Sequence, residues 1–301
     1  MIAEHERQRL GGQEKNEGLE REVMNKTSAK TLGWTIEPGA SNVVDLSYPV
    51  QPTGMSLLPV YPPLIIKSDS LIKGEVRHHS PIVDPKTGYP VTGFYARVIY
   101  QMMEGHGTHV EATSHAFGEL GKNIDDYPLS RFIAPAVVIN IVEKTKADPD
   151  YDITVEDIAR WEGRNGRIPE RAAVILYSGR GAYWGNDEAY FGRDETGQDH
   201  YPGFSVEAAR FLVEERHISM LGTDLPVLDG PRLRKNARSL RPTATTPVRD
   251  AVQRPPHDVI VIEYLANVDK LPEAGALLIA APINFVDGAQ GTARILAVLP
   301  T

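Results

Sequence analysis

From Val43 onward, short apolar runs alternate with polar loops and with a few stretches of helical periodicity. The runs at 43–46, 94–103, 136–142, 173–178, 218–221, 259–263, 276–280 and 293–298 have the length and turn-residue boundaries of β-strands. Their spacing is too irregular for a propeller, and no internal repeat is visible. Two helices carry their own start signals. Thr154 followed by Asp157 resembles a capping box, Val155, Ile158 and Trp161 then recur on one face, and Gly163 reads as the stop. Ser205 caps a second helix in which Val206, Ala209, Leu212 and Val213 face one way and Glu207, Arg210 and Glu214 the other. Each helix leads into an apolar strand, which predicts an α/β architecture with a mixed sheet.

The rest of the pattern marks the borders. Residues 1–40 form a charged arm in which Glu4, Glu6, Arg7 and Arg9 begin a run of alternating sign that continues to Glu22. Such a stretch is a solvated helix or unstructured, and Leu19 and Val23 offer only a thin apolar stripe to another subunit. Pro38-Gly39 marks the entry to a single domain over 41–301. Pro52, Pro59, Pro62 and Pro63 make 49–63 a loop. Residues 226–256 read as a long proline-interrupted loop, and Arg232, Arg234, Lys235, Arg238 and Arg241 lie in it. Arg232 and Arg234 are candidates to bind an anionic group of a substrate, against the plainer alternative of a solvated loop paired with local acids.

Composition narrows the chemistry. Cysteine is absent, which excludes thiolate catalysis and cysteine-based metal sites, so any metal must sit on His, carboxylate and water. The net charge of −8 gives no support to nucleic-acid or anionic-membrane binding. No apolar run reaches 18 residues and the first ten residues are charged, so the expected location is cytoplasmic.

The chemistry-bearing stretch is Gly105-His106-Gly107-Thr108-His109-Val110-Glu111-Ala112-Thr113-Ser114-His115, read as a tight strand-to-loop turn. Nine histidines are spread over 301 residues, so three within ten positions and a glutamate among them point to a metal or acid–base site. His106 lies one position from the strand parity that His109 and Glu111 share, so only a bulge at Gly105–Gly107 would bring it to the same ligand set.

This stretch resembles the signature of the cyclase family, which includes kynurenine formamidases, isatin hydrolases and ring-closing enzymes of antibiotic pathways. The family pattern runs His-x-Gly-Thr-His-x-Asp-x-Pro-x-His. Gly107, Thr108, His109 and His115 fit it, whereas Gly105, Glu111 and Thr113 stand where the first His, the Asp and the Pro would be. Val43-Val44-Asp45-Leu46-Ser47, Ala173 to Gly179 with Tyr183-Trp184, Leu221-Gly222-Thr223-Asp224, Glu263 to Asn267 and Gly291-Thr292-Ala293-Arg294 resemble further landmarks in order.

The resemblance implies a swivelling β/β/α fold and an enzyme acting on an amide, formamide, lactam or lactone of a small molecule. It also implies a homodimer or homotetramer, with Tyr183 and Trp184 near the substrate. It carries over His109, Glu111 and Glu263, with His106 beside them, as ligands for a divalent ion, zinc or manganese, and His115 as an acid–base group. The family's second-metal His falls on Ala251, so a standard two-metal centre is not expected. Two alternatives stay open: a metal-free cyclase or dehydratase of secondary metabolism using His109, Glu111 and His115 for proton transfer, and a binding protein that has lost catalysis.

Overall fold

The computed structural model describes residues 42–50, 55, 65–67, 70–72, 75–77, 98–234 and 246–300. The charged arm at 1–40, most of the proline loop at 49–63, and Lys235, Arg238 and Arg241 lie outside the described residues. In chain order the first strands are β1 (Val43–Asp45), β2 (Ile65–Lys67), β3 (Ser70–Ile72), β4 (Glu75–Arg77), β5 (Val98–Gln101) and β6 (His109–Glu111). They are followed by β7 (Ile133–Asn140), β8 (Asp152–Ile153), β9 (Ala173–Tyr177), β10 (Gly203–Phe204) and β11 (Met220–Thr223). The last are β12 (Ile260–Glu263), β13 (Ala274–Ile279), β14 (Gln290–Thr292) and β15 (Leu296–Val298).

Nine of these form one mixed sheet in the order β1-β15-β13-β7-β9-β11-β12-β6-β14. Its centre, β7, β9, β11 and β12, is parallel. Both flanks are antiparallel, β13, β15 and β1 on one side and β6 and β14 on the other. Parallel strands need crossovers, and the helices Val155–Asn165, Val206–Glu214 and Pro247–Gln253 lie between successive central strands.

The central strands read as unbroken apolar runs because both faces are buried. Val137, Ile139, Val174, Leu176, Leu221 and Val261 pack with the crossover helices. Their chain neighbours Ala136, Val138, Ile175, Met220, Ile260 and Ile262 form a second core on the opposite face. The period of two is intact under the uniform hydrophobicity.

Three sequence expectations are corrected. The helix starting at Val155 does not stop at Gly163 but runs to Asn165, and Gly166 (φ 87°) ends it. A glycine inside a helix costs only about 1 kcal/mol, and burial of Ile158 and Trp161 outweighs that. Trp161 also donates from Nε1 to the Val138 carbonyl at 2.9 Å. The run expected at 293–298 forms strand only over its last three residues, β15, which pairs with β1 and β13, and a separate strand, β14, precedes it and pairs with β6.

The third correction matters most for the site. Residues 247–253, expected within a loop, form a helix with Pro247 in its first turn. Proline breaks a helix interior but is preorganised for a helix start, where its missing N–H is no loss. Asp229 secures this start, accepting the Val248 N–H at 2.8 Å and the Thr246 hydroxyl. Val248, Ala251 and Val252 then enter the core. Among the described residues no helix is long and apolar enough to cross a membrane.

Candidate active site

The stretch expected to be a turn contains strand β6, second from one edge of the sheet. Its neighbours' register decides which side chains meet. On β12, Glu263 lies opposite His109 and Val261 opposite Glu111. On β14, Gln290 lies opposite Glu111 and Thr292 opposite His109. Directly opposed residues share a face, as do residues two apart on one strand. His109, Glu111, Glu263 and Gln290 therefore gather on one face of three adjacent strands, while Val110 and Ile262 enter the core behind.

The turn before β6 is held by side chains. Thr292 donates its hydroxyl hydrogen toward the carbonyls of Glu104 and His106, at 2.9 and 3.0 Å. Thr108 donates to the Tyr264 carbonyl at 2.6 Å and accepts the Tyr48 N–H at 3.0 Å. Gly107 takes φ +74°, and a Cβ there would lie 2.9 Å from Met55 Cε. The Gly107 carbonyl sits 2.9 Å from His109 Nδ1. A carbonyl only accepts, so Nδ1 donates to it and Nε2 is the nitrogen that faces the cluster.

Around that nitrogen, Glu111 Oε1 stands at 3.5 Å and Glu263 Oε2 at 3.6 Å. The other oxygens, Glu111 Oε2 and Glu263 Oε1, both meet Arg249 Nη2, at 2.6 and 2.9 Å. Gln290 Nε2 donates to Glu111 Oε1 at 2.7 Å and lies 3.4 Å from Nε2 of both His109 and His115. His115, on the short helix Ser114–Phe117, brings its Nε2 within 3.5 Å of Glu111 Oε1 and keeps 35% of its side chain exposed. Backbone N–H groups of Ala289 and Gln290 donate to Glu104 Oε2, each at 3.0 Å, which fixes the start of β14.

Charge separates the two glutamates. Burial alone would raise both, but Arg249, His115 and His109 hold the Glu111 carboxyl well below the usual range. Burial and the facing Glu111 charge push Glu263 well above it, against the pull of Arg249. One carboxylate thus stays ionised while its neighbour favours the proton. Burial would lower the Arg249 guanidinium, and Glu111 and Glu263 raise it instead. Burial also lowers His115, opposed by Glu111, which favours the neutral imidazole.

The profile of the Cyclase family matches residues 44–230. The chain belongs to the cyclase family. It is 31% identical over 206 residues to the isatin hydrolase of Roseibium aggregatum, covering 65% of this chain and 72% of that one. An isatin hydrolase bound to the product analogue thioisatinate superposes with a TM-score of 0.69 at 25% identity, covering 96% and 99% of the two chains. Isatin hydrolase A of Labrenzia aggregata, bound to benzyl benzoate, does so with a TM-score of 0.67 at 28% identity, covering 86% and 94%. This cyclase-family chain is accordingly an enzyme of the mixed-sheet α/β fold expected from sequence.

His109, Glu111 and Glu263 could together hold a metal ion, their donor atoms lying within 4.8 Å of one another. Metal–donor bonds of about 2.1 Å in a tetrahedron set neighbouring donors about 3.4 Å apart. The separations of 3.5 and 3.6 Å from His109 Nε2 match that edge, and the Nδ1-protonated ring points the correct nitrogen inward. The residues present fit a single ion.

The other expected residues fall in different places. His106 is buried on the turn ahead of the strand and is absent from the converging set, so the ligand set expected from sequence loses it. Burial and the nearby His109 lower its pKa. Trp184 stacks on Tyr48 at 3.8 Å and meets Tyr264, the residue after Glu263, edge-on at 5.6 Å. Tyr183 instead turns outward, half exposed. Arg232 pairs with Asp148 at 3.2 Å, the plainer alternative for a basic loop residue. Arg234 reaches inward to the Tyr201 hydroxyl at 2.9 Å, and its charge acts on Glu263. A cavity of about 350 Å³ lined by Tyr48, Tyr177, Asp224 and Leu265 adjoins the ends of the central strands, but none of the converging residues lines it.

Arg249 and Gln290 were not expected. Arg249 had a faint signal, since Thr246-Pro247 followed by Val248, Ala251 and Val252 is a helix start. Gln290 had none beyond its place before Gly291-Thr292.

Proposed function

We propose that this protein hydrolyses the amide bond of a small cyclic molecule, a lactam of the isatin type, with a zinc or manganese ion on His109, Glu111 and Glu263. The supporting observation is the convergence of those three residues, with His115 beside them, on one face of β6 and β12. When bound, the divalent ion supplies Lewis acidity, polarising a carbonyl and making water more acidic. The chain's own groups do the rest. His109 is locked in one tautomer by Gly107, and Arg249 orients both carboxylates. His115, neutral and partly exposed, takes a proton from water and returns it to the leaving nitrogen. The C–N bond breaks, water oxygen joins the carbonyl carbon, and the products are a carboxylate and an amine. A cytoplasmic homodimer or homotetramer belongs to the same proposal, with light scattering as its reading of assembly.

The test is ring opening of isatin by chelator-stripped protein with and without added zinc or manganese. Ion-dependent turnover that falls about 10²–10⁴-fold in His115→Ala supports the proposal. One observation favours a second reading, metal-free proton transfer on a secondary metabolite: Arg249 already neutralises part of the carboxylate charge. Turnover unaffected by chelator would select that reading.

A further inference from the structure

The four oxygens of Glu111 and Glu263 are divided between two places. Glu111 Oε1 and Glu263 Oε2 face His109 Nε2 at 3.5 and 3.6 Å. Glu111 Oε2 and Glu263 Oε1 face one atom of Arg249, Nη2, at 2.6 and 2.9 Å. Two carboxyl groups, 2% and 3% exposed, each turn one oxygen to either place, so both places favour positive charge. At the second place the cation is a side chain.

Its geometry is that of a point charge. Arginine usually meets carboxylates with a two-pronged fork, but here a single nitrogen bridges two of them. Nε is buried with no hydrogen-bond partner among the described residues, so the guanidinium is placed for Nη2 and not for its whole donor set. The position is fixed from behind. Arg249 follows Val248, whose N–H is held by Asp229 at 2.8 Å, and Val248 and Val252 anchor the same helix in the core. A guanidinium keeps its proton throughout the accessible pH range, so this cation cannot leave by deprotonation.

We infer that Arg249 is a built-in cation that permanently fills the place between Glu111 Oε2 and Glu263 Oε1, limiting the site to one divalent ion per chain. That ion would sit on the His109 side. The inference concerns how many ions the site accepts and is independent of which bond the enzyme attacks, so a failed lactam assay leaves it standing.

The experiment counts ions. Chelator-stripped full-length protein is dialysed against zinc or manganese in excess, and bound metal is measured by mass spectrometry. Wild-type protein is expected to hold no more than one ion per chain, and two would overturn the inference. Arg249→Met opens the second place and is expected to hold one ion more than wild type. An unchanged count would also overturn it. Without ion the variant should melt about 10 °C below wild type, and most of that loss should return on adding the ion. If the variant is recovered only with ion present, its count is read on that material.

Discussion

Asp224 and Glu111 are both buried carboxylates near strand ends of the same sheet, and they are satisfied by different kinds of donor. Asp224, just after β11, accepts the Ser178 N–H at 3.0 and 3.2 Å and the Gly179 N–H at 3.0 Å. Burial still pushes its pKa up to about 6, against those bonds. Glu111 suffers the same burial, yet the Arg249 guanidinium and the two histidines hold it well below the usual range. Neutral backbone donors fix where a carboxylate sits. A formal charge fixes its ionisation as well. The first arrangement suits a structural turn, the second a site that needs an anion at working pH.

The comparison breaks most visibly when the cation is removed. Arg249→Met leaves the buried, ionised Glu111 carboxylate without its cation and is expected to cost about 3–5 kcal/mol, read as a lower urea midpoint in chelator. A midpoint within error of wild type would mean that Arg249 does not hold the pair. Removing Asp224 should cost less. Asp224→Ala deprives the Ser178 and Gly179 N–H groups of their acceptor, a loss of about 1–3 kcal/mol, measured in the same titration. The smallest effect is in pH dependence and differs in sign between the two sites. Folding raises Asp224 from 3.8 to about 6, so its contribution is full below the lower value and is lost as pH climbs through the upper. Folding lowers Glu111, so its contribution is present above its ordinary value of 4.5 and is lost as pH falls through the depressed one. Stability of wild type minus Asp224→Asn should therefore decline from pH 4 to pH 6, by no more than about 1.4 kcal/mol per pH unit. A rising difference would contradict the assignment.

Local rules made the central sheet and two of its helices legible. Thr154 accepts the Asp157 N–H at 3.4 Å and Asp157 accepts the Thr154 N–H at 3.1 Å, the reciprocal cap that the sequence signals. Ser205 accepts the Ala208 N–H at 3.1 Å. Where one local signal competed with tertiary packing, it misled. Gly163 reads as a stop, and the prolines around 247 read as loop, because neither packing of Trp161 nor anchoring by Asp229 is written nearby.

The candidate site divides along the same line. His109, Glu111 and His115 lie close together in sequence and Glu263 follows from the family resemblance. Arg249 and Gln290 reach the site only through a helix start and a strand register, and no spacing between residues announces them. The sequence could show that a His was missing at Gly105 without showing what had come in its place.

A Cβ on Gly105 would lie 2.7 Å from Gln290 Oε1 and 3.0 Å from His109 Cδ2. The small residue at 105 and the long one at 290 therefore fit each other as a pair. A shuffled library with a crossover between them would unite a relative's larger residue at 105 with this Gln290, or leave a gap where neither reaches. Recombination with cyclase relatives should draw 105 and 290 from the same parent.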